Sequence, residues 1–298
     1  MRPRGWTPLR VAAAAAAATG LAAPRLRRRL GLPRGLVSAL AWQAPLALSL
    51  AAPPSKRRAA GIYALQMFAY LAHYEMPADD VDAIQARARV RYPILLDRAL
   101  GLGRIPTARL QRLLWRPGRI APHDAALSSL HWLWYFAPHL SVIYVLAKRP
   151  DRFGRAAGVV ALTFDLGLIV YWAIPTAPPW WASANGDLEP VERVMLGVGE
   201  RAFGRVWPPL YDSLSGNPLA AMPSLHFATS VAAARALGEV GPTERRLGLA
   251  YAGALGFALV YLGEHYVADL LAGLAVVEVA VAIVETSAFR ALEERLAR

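Results

Sequence analysis

Long apolar blocks separated by short arginine-rich segments run through this sequence, and the alternation leaves very few folds open to it. The blocks lie at about residues 36–52, 60–74, 128–147, 156–174, 219–238, 247–263 and 266–285. Several approach the ~20 residues that a helix needs to cross the hydrocarbon core of a bilayer. Of the 298 residues, 33 are Lys or Arg, yet 56% are hydrophobic and mean hydropathy stays positive at +0.31. That balance requires charge to be segregated from the apolar runs, as loops are from spans. A soluble helical protein with a large core is the competing reading, and the length of the runs counts against it. The expected fold is therefore all-α: a polytopic membrane bundle of about six transmembrane helices, with an interfacial amphipathic N-terminal and loop region.

The net charge of +12 does not point to nucleic acid, because the positive residues flank apolar spans and are not interleaved with aromatics. Anionic lipid head groups account for them, so the expected partners are the membrane and a lipid phosphate or phospholipid substrate. The absence of cysteine excludes disulfides and thiolate chemistry. Neither a repeat nor a Gly/Ser linker divides the chain. Within one membrane domain, three regions are expected: an N-terminal arm with the first membrane segments over 1–75, a basic interfacial helical segment over 76–127, and a catalytic transmembrane core over 128–298. The alanine-rich stretch from Val11 looks like a signal peptide, but RLRRRL follows it directly, which argues against cleavage.

Charge asymmetry orients the spans. The segments KRPDRFGR, PTERRL and RALEERLAR read as cytoplasmic, whereas Pro175 to Ala221 is richer in acidic residues and reads as outside. The 36–52 block has basic residues on both sides and contains Pro45, so it is expected to dip into or lie on the membrane. The stretch from Met76 to His123 falls outside despite nine arginines. Its mixed apolar and basic composition suits helices lying at the interface. The expected location is the plasma membrane, multi-pass, with the site facing away from the cytoplasm.

Two short sequences place polar clusters at the mouths of apolar spans. In NPLAAMPSLHFATS, Pro223, Ser224 and His226 open a helix whose free backbone N–H groups form an anion site. Ser224 adds a hydroxyl donor for a phosphate, and His226 is available for proton exchange. In YLGEHYVADLLAG, His265 and Asp269 stand four residues apart. On a helix the carboxylate would take the Nδ1 proton of the imidazole and leave Nε2 basic; a purely structural His–Asp bridge has the same spacing. Topology favours chemistry, because His226 and His265 then meet at the outer face.

AMPSLH followed by HYVAD and AG resembles the type 2 phosphatidic acid phosphatase superfamily, in particular the branch that includes inositol phosphorylceramide synthase. LDRALGLG, RLQRLL, the span with Tyr135 and His139, and PTAPPWW from Pro175 match further features of that branch, and the resemblance covers roughly Ile94 to Gly273. It implies a covalent phosphohistidine mechanism without metal or other cofactor, with His265 as nucleophile, His226 as acid/base and Asp269 as the orienting carboxylate. The implied activity is that of a lipid phosphate phosphatase or phosphotransferase, including transfer of an inositol-phosphate-type head group. Simple hydrolysis of a lipid phosphate or a polyprenyl diphosphate is the alternative within the class. A non-catalytic lipid transporter or scramblase is the alternative outside it.

The sequence departs from the superfamily where a cation is expected. Leu259 stands six positions before His265, at the place of an Arg, and Ala258 replaces a Ser. Another arginine must then meet the phosphate. Arg109 and Arg116, which with Pro117 echo the superfamily's first motif, are the first choice; Arg193, Arg201 and Arg205 also qualify. His73, His123 and His131 show no metal-ligand spacing with one another and are not expected to be ligands. Asp165, Glu278 and Glu285 are expected to be packing or interface residues.

Overall fold

The computed structural model describes residues 7–76, 80–215 and 217–297. Among them there are only helices, turns and isolated β-bridges. Three long N-terminal helices come first: α1 (Pro8–Leu30), α2 (Arg34–Ala51) and α3 (Lys56–Glu75). Thr7 caps α1, accepting from Arg10 N, and left-handed Gly31 ends it. Arg58 of α3 donates to the Ser49 and Ala52 carbonyls at the end of α2, which locks that turn.

Short helices follow: α4 (Val81–Gln85), α5 (Arg91–Leu100), α6 (Pro106–Leu114), α7 (Pro122–Leu133) and α8 (Ala137–Lys148). Helices α5 and α6 bury Ile94, Asp97, Thr107, Ala108 and Gln111. Their outer faces carry Leu95, Leu96, Leu113 and Leu114 beside arginines. The 128–147 block, expected as one span, is broken at residues 134–136 and restarted by Pro138 in the first turn of α8. Proline fits a first turn, where no partner is needed for its missing N–H.

The remaining helices are α9 (Phe153–Ala173), α10 (Pro179–Ala184), α11 (Val194–Phe203), α12 (Trp207–Ser215), α13 (Leu225–Leu237), α14 (Pro242–Tyr261), α15 (Val267–Val284) and α16 (Ser287–Ala297). By length and composition, two described helices suffice to cross a membrane: the one over Pro150–Ala173 and the one over Val267–Val284.

Helix α9 is the axis of the core. Phe164, Leu168 and Tyr171 pack with Leu225 and Ala228 of α13, Val142 and Val145 of α8, Val277 of α15 and Tyr70 of α3. Small residues set the spacing. A Cβ on Gly273 of α15 would lie 2.9 Å from the Ser224 carbonyl, so only glycine lets α15 pass this close to the start of α13.

The bundle has two chemically different ends. At one, Arg155 pairs with Glu239 at 3.0 Å and with Glu285 at 2.8 Å, joining the start of α9 to the ends of α13 and α15. At the other, α13 and α15 begin and α14 finishes. There the extended backbone around Thr176 is bonded on both sides, Arg89 N donating to Pro175 O and Thr176 N to Leu219 O, each at 2.7 Å.

Candidate active site

Local rules put each histidine at the mouth of its helix. Ser224 is the N-cap of α13, its Oγ accepting from Phe227 N at 3.4 Å. His226 is therefore the second residue of the helix. Pro223 precedes the cap and does not open the helix as the sequence suggested. The Ser224 hydroxyl, expected on the phosphate, is wholly buried in this capping role. On α15, His265 lies before the first turn. Asp269 reaches back from the third helical position, and its Oδ2 accepts from Tyr266 N at 2.9 Å and from His265 Nδ1 at 3.2 Å. The four-residue spacing thus works as a helix-start clamp, not as two side chains stacked on one helical face.

His265 Nε2 and His226 Nδ1 are 3.1 Å apart. With Nδ1–H of His265 committed to Asp269, its Nε2 is the acceptor and His226 the donor. His226 is flanked by Trp134, 4.2 Å away between ring centroids, and by His131 at 4.6 Å. His131 is 2% exposed, and neither of its ring nitrogens has a partner among the described residues.

These rings line a cavity of about 540 Å³, together with Trp180, Arg193, Tyr211, Asn217 and Glu264. Arg193 lies 4.1 Å from the Trp180 ring and 4.6 Å from that of Tyr211. Its Nε donates to Glu264 Oε1 at 3.0 Å and its Nη2 to the Tyr211 hydroxyl at 3.0 Å. Burial pushes the Glu264 carboxyl up, but the charge and hydrogen bonds of Arg193 outweigh that and hold it below the ordinary glutamate value.

Arg109 and Arg116 do not line the cavity. Helix α6 docks through Thr107, Ala108 and Gln111, which turns Arg109 outward, and Arg116 is exposed beyond the helix end. Leu259, where the cation was expected, is fully buried, and its carbonyl accepts from the backbone N–H groups of Glu264 and His265. Gly263 makes that turn possible. Its φ of +84° and a carbonyl 2.5 Å from where a Cβ would stand both require glycine.

Two further supports come from the basic segment. Gln111 Nε2 donates to the Glu192 and Tyr261 carbonyls while its Oε1 accepts from Glu192 N, each at 2.8 Å. Asp97 Oδ1 accepts from Ala268 N at 3.1 Å, and burial pushes this carboxyl up to about 6. Both residues lie inside RLQRLL and LDRALGLG, and Glu264 immediately precedes His265. Those segments therefore carried the signal, although nothing in their spacing tells where the side chains point.

Four other polar residues named from the sequence have partners outside the cavity. His73 contacts Trp42 and Ser38, and Asp165 accepts from Gln66. Glu278 pairs with Arg235 and Glu285 with Arg155.

The PAP2 superfamily model matches residues 94–283. The chain belongs to the PAP2 superfamily. All the cavity residues from His131 to Glu264 and His265 fall inside the PAP2 segment, whereas α1 to α3 lie before it. A relative is the inositol phosphorylceramide synthase of Candida albicans, 30% identical over 159 residues. That match covers 49% of this PAP2 chain and 34% of the Candida protein, so the chain spans about a third of its relative's length. No solved structure matches the chain.

Proposed function

We propose that this PAP2 protein is a membrane-embedded lipid phosphate phosphatase or phosphotransferase that works through a phosphohistidine. The observation that carries the reading is the line Asp269–His265–His226, with contacts of 3.2 and 3.1 Å, on the wall of a cavity that also holds the Arg193 guanidinium. Asp269 fixes the His265 tautomer that exposes Nε2. A phosphoryl group displaces His226 from that nitrogen, and Nε2 attacks phosphorus as the bond to the leaving oxygen breaks. Protonated His226 gives its proton to the departing alkoxide. Water or an alcohol then loses a proton to His226 and attacks phosphorus, which breaks the P–N bond and restores both rings. Arg193, held planar between two aromatic rings, offers N–H donors to the phosphate oxygens, and His131 offers a further ring nitrogen.

The same reading places six crossings at α3, α7 with α8, α9, α13, α14 and α15. It puts the Arg155 end in the cytoplasm and the histidines at the outer face, with α5 and α6 at the interface. Similarity to inositol phosphorylceramide synthase favours an alcohol acceptor, and hence transfer of a phospho-head group, over plain hydrolysis.

The test is product analysis of the purified chain given phosphatidate, a polyprenyl diphosphate and phosphatidylinositol in turn, with and without a lipid alcohol, in the presence of EDTA. Release of phosphate or of diacylglycerol, unaffected by the chelator, is the expected result. No product from any of them, with lipid moving across a vesicle, would instead make the chain a transporter.

A further inference from the structure

Among the described residues the cavity does not end at the histidines. It continues along α3, where Ala64, Met67, Phe68, Leu71 and Tyr74 line it. Positions 64, 67, 68, 71 and 74 recur at helical spacing, so they form one face. Between Ala64 and Glu75 that face is about 16 Å long at a rise of 1.5 Å per residue.

Polarity changes along this length. Glu75 and Tyr74 lie at the end near Asn217 and Arg193, whereas Ala64, Met67, Phe68 and Leu71 carry no charge and no hydrogen-bonding group. Ring contacts connect the two parts: Tyr70 to Phe164 at 4.7 Å, Phe164 to Trp134 at 6.3 Å and Trp134 to His226 at 4.2 Å. Gln66, which donates to Asp165 at 2.8 Å, fixes the helix against α9. The wall is not sealed, since Leu71 remains 48% exposed. A cavity with a phosphate-compatible head, a lengthwise apolar flank and an open side has the shape of a single amphiphile lying with its chain along the helix.

We propose that this face of α3 binds the hydrocarbon chain of the lipid phosphate and so sets the preference for lipid over soluble phosphates. The proposal rests on the reading of His265 and His226 as the phosphoryl-transfer site. Because α3 precedes the PAP2 segment of 94–283, this preference is assigned to a part of the protein outside the family module. The occupant is a lipid chain and not a second copy of the protein, because the groove is continuous with the site where the lipid's phosphate must sit.

The experiment uses the full chain in detergent and a phosphatidate carrying a photoactivatable diazirine midway along one acyl chain. Adducts on residues 64–74, competed by unlabelled phosphatidate, are expected. Adducts elsewhere, or crosslinks between two copies at α3, would overturn the assignment. In parallel, Met67→Trp and Leu71→Trp should lower the ratio of kcat/KM for dioleoyl phosphatidate to that for nitrophenyl phosphate at least tenfold. An unchanged ratio, whether from equal loss or from no loss, would count against the proposal. If competed adducts map to α3 but wild-type protein turns over neither substrate, the groove stands and the enzymatic reading falls. If nitrophenyl phosphate is hydrolysed while the adducts lie elsewhere, the reverse holds.

Discussion

Arg193 and Glu264 meet with Nε 3.0 Å from Oε1, one residue before His265, with the arginine side chain 18% exposed and the glutamate 9%. This pair lines the cavity beside His265. The guanidinium comes from the loop leading into α11, while the position of the expected arginine is filled by buried Leu259. The carboxylate orients the guanidinium and compensates its charge.

Arg193→Ala should lower kcat/KM for a lipid phosphate about a hundredfold or more and, by stranding Glu264, destabilise the fold by on the order of 3 kcal/mol. Adding Glu264→Gln should restore the melting temperature without restoring activity. Recovery of activity in the double variant would mean that Arg193 serves folding alone.

Acid stability should follow two carboxyls of opposite sign. The Asp97 carboxyl is raised from 3.8 to about 6, so the folded state binds its proton first and stability rises as pH falls through that window. Glu264 is held below its ordinary 4.5, so its contribution is complete above that value and is lost as pH falls through the lower folded value. Melting curves should show Asp97→Asn flattening the first limb and Glu264→Gln the second. Identical profiles for wild type and both variants would refute the assignment.

For the histidines, His265→Ala should abolish turnover together with any acid-labile, base-stable phosphoenzyme. His226→Ala should keep more activity on nitrophenyl phosphate than on a lipid, because the loss of a general acid matters most for a poor leaving group. Asp269→Asn should fall between them. A His265→Ala protein that still accumulates phosphoenzyme would remove the proposed nucleophile.

His131 separates binding from packing. Both its ring nitrogens are buried without partners among the described residues, so His131→Phe should leave the melting temperature unchanged or raise it slightly. At the same time kcat/KM should drop at least tenfold. A variant that melts early and keeps full specific activity would show the ring to be structural.

Helix content and the two histidine motifs were legible because they depend on neighbours a few residues apart, although the sequence presents Ser224 as a phosphate ligand and not as a cap. Thr7 and Ser224 cap the helices that follow them, and Asp269 finds His265 four positions away. Membership of the PAP2 superfamily was legible for the same reason, since its motifs are short and contiguous. The break at residues 134–136 was visible only in part, because Pro138 marks a kink in the apolar run but does not show that one helix stops and a second starts there.

Spacing alone could not determine which distant groups share the cavity. Arg193 is 71 residues from Glu264, Gln111 is 150 from Tyr261 and Asp97 is 171 from Ala268. Whether Arg109 or Gln111 faces inward depends on the rotation of α6 about its axis, which is set by burying Thr107 and Ala108 and not by any local preference. His131 reads as a lone histidine in the sequence and becomes the neighbour of His226 only when α7 packs against α11 and α14. The sequence by itself therefore determined the helices and the Asp269–His265 clamp, through short-range hydrogen bonding and hydrophobic period. The packing of α3 on α9, of α6 on α14 and of α7 on α11 and α14 decided that Arg193, His131 and the apolar wall of α3 share the cavity with the two motif histidines, because those contacts are made between surfaces and not along the chain.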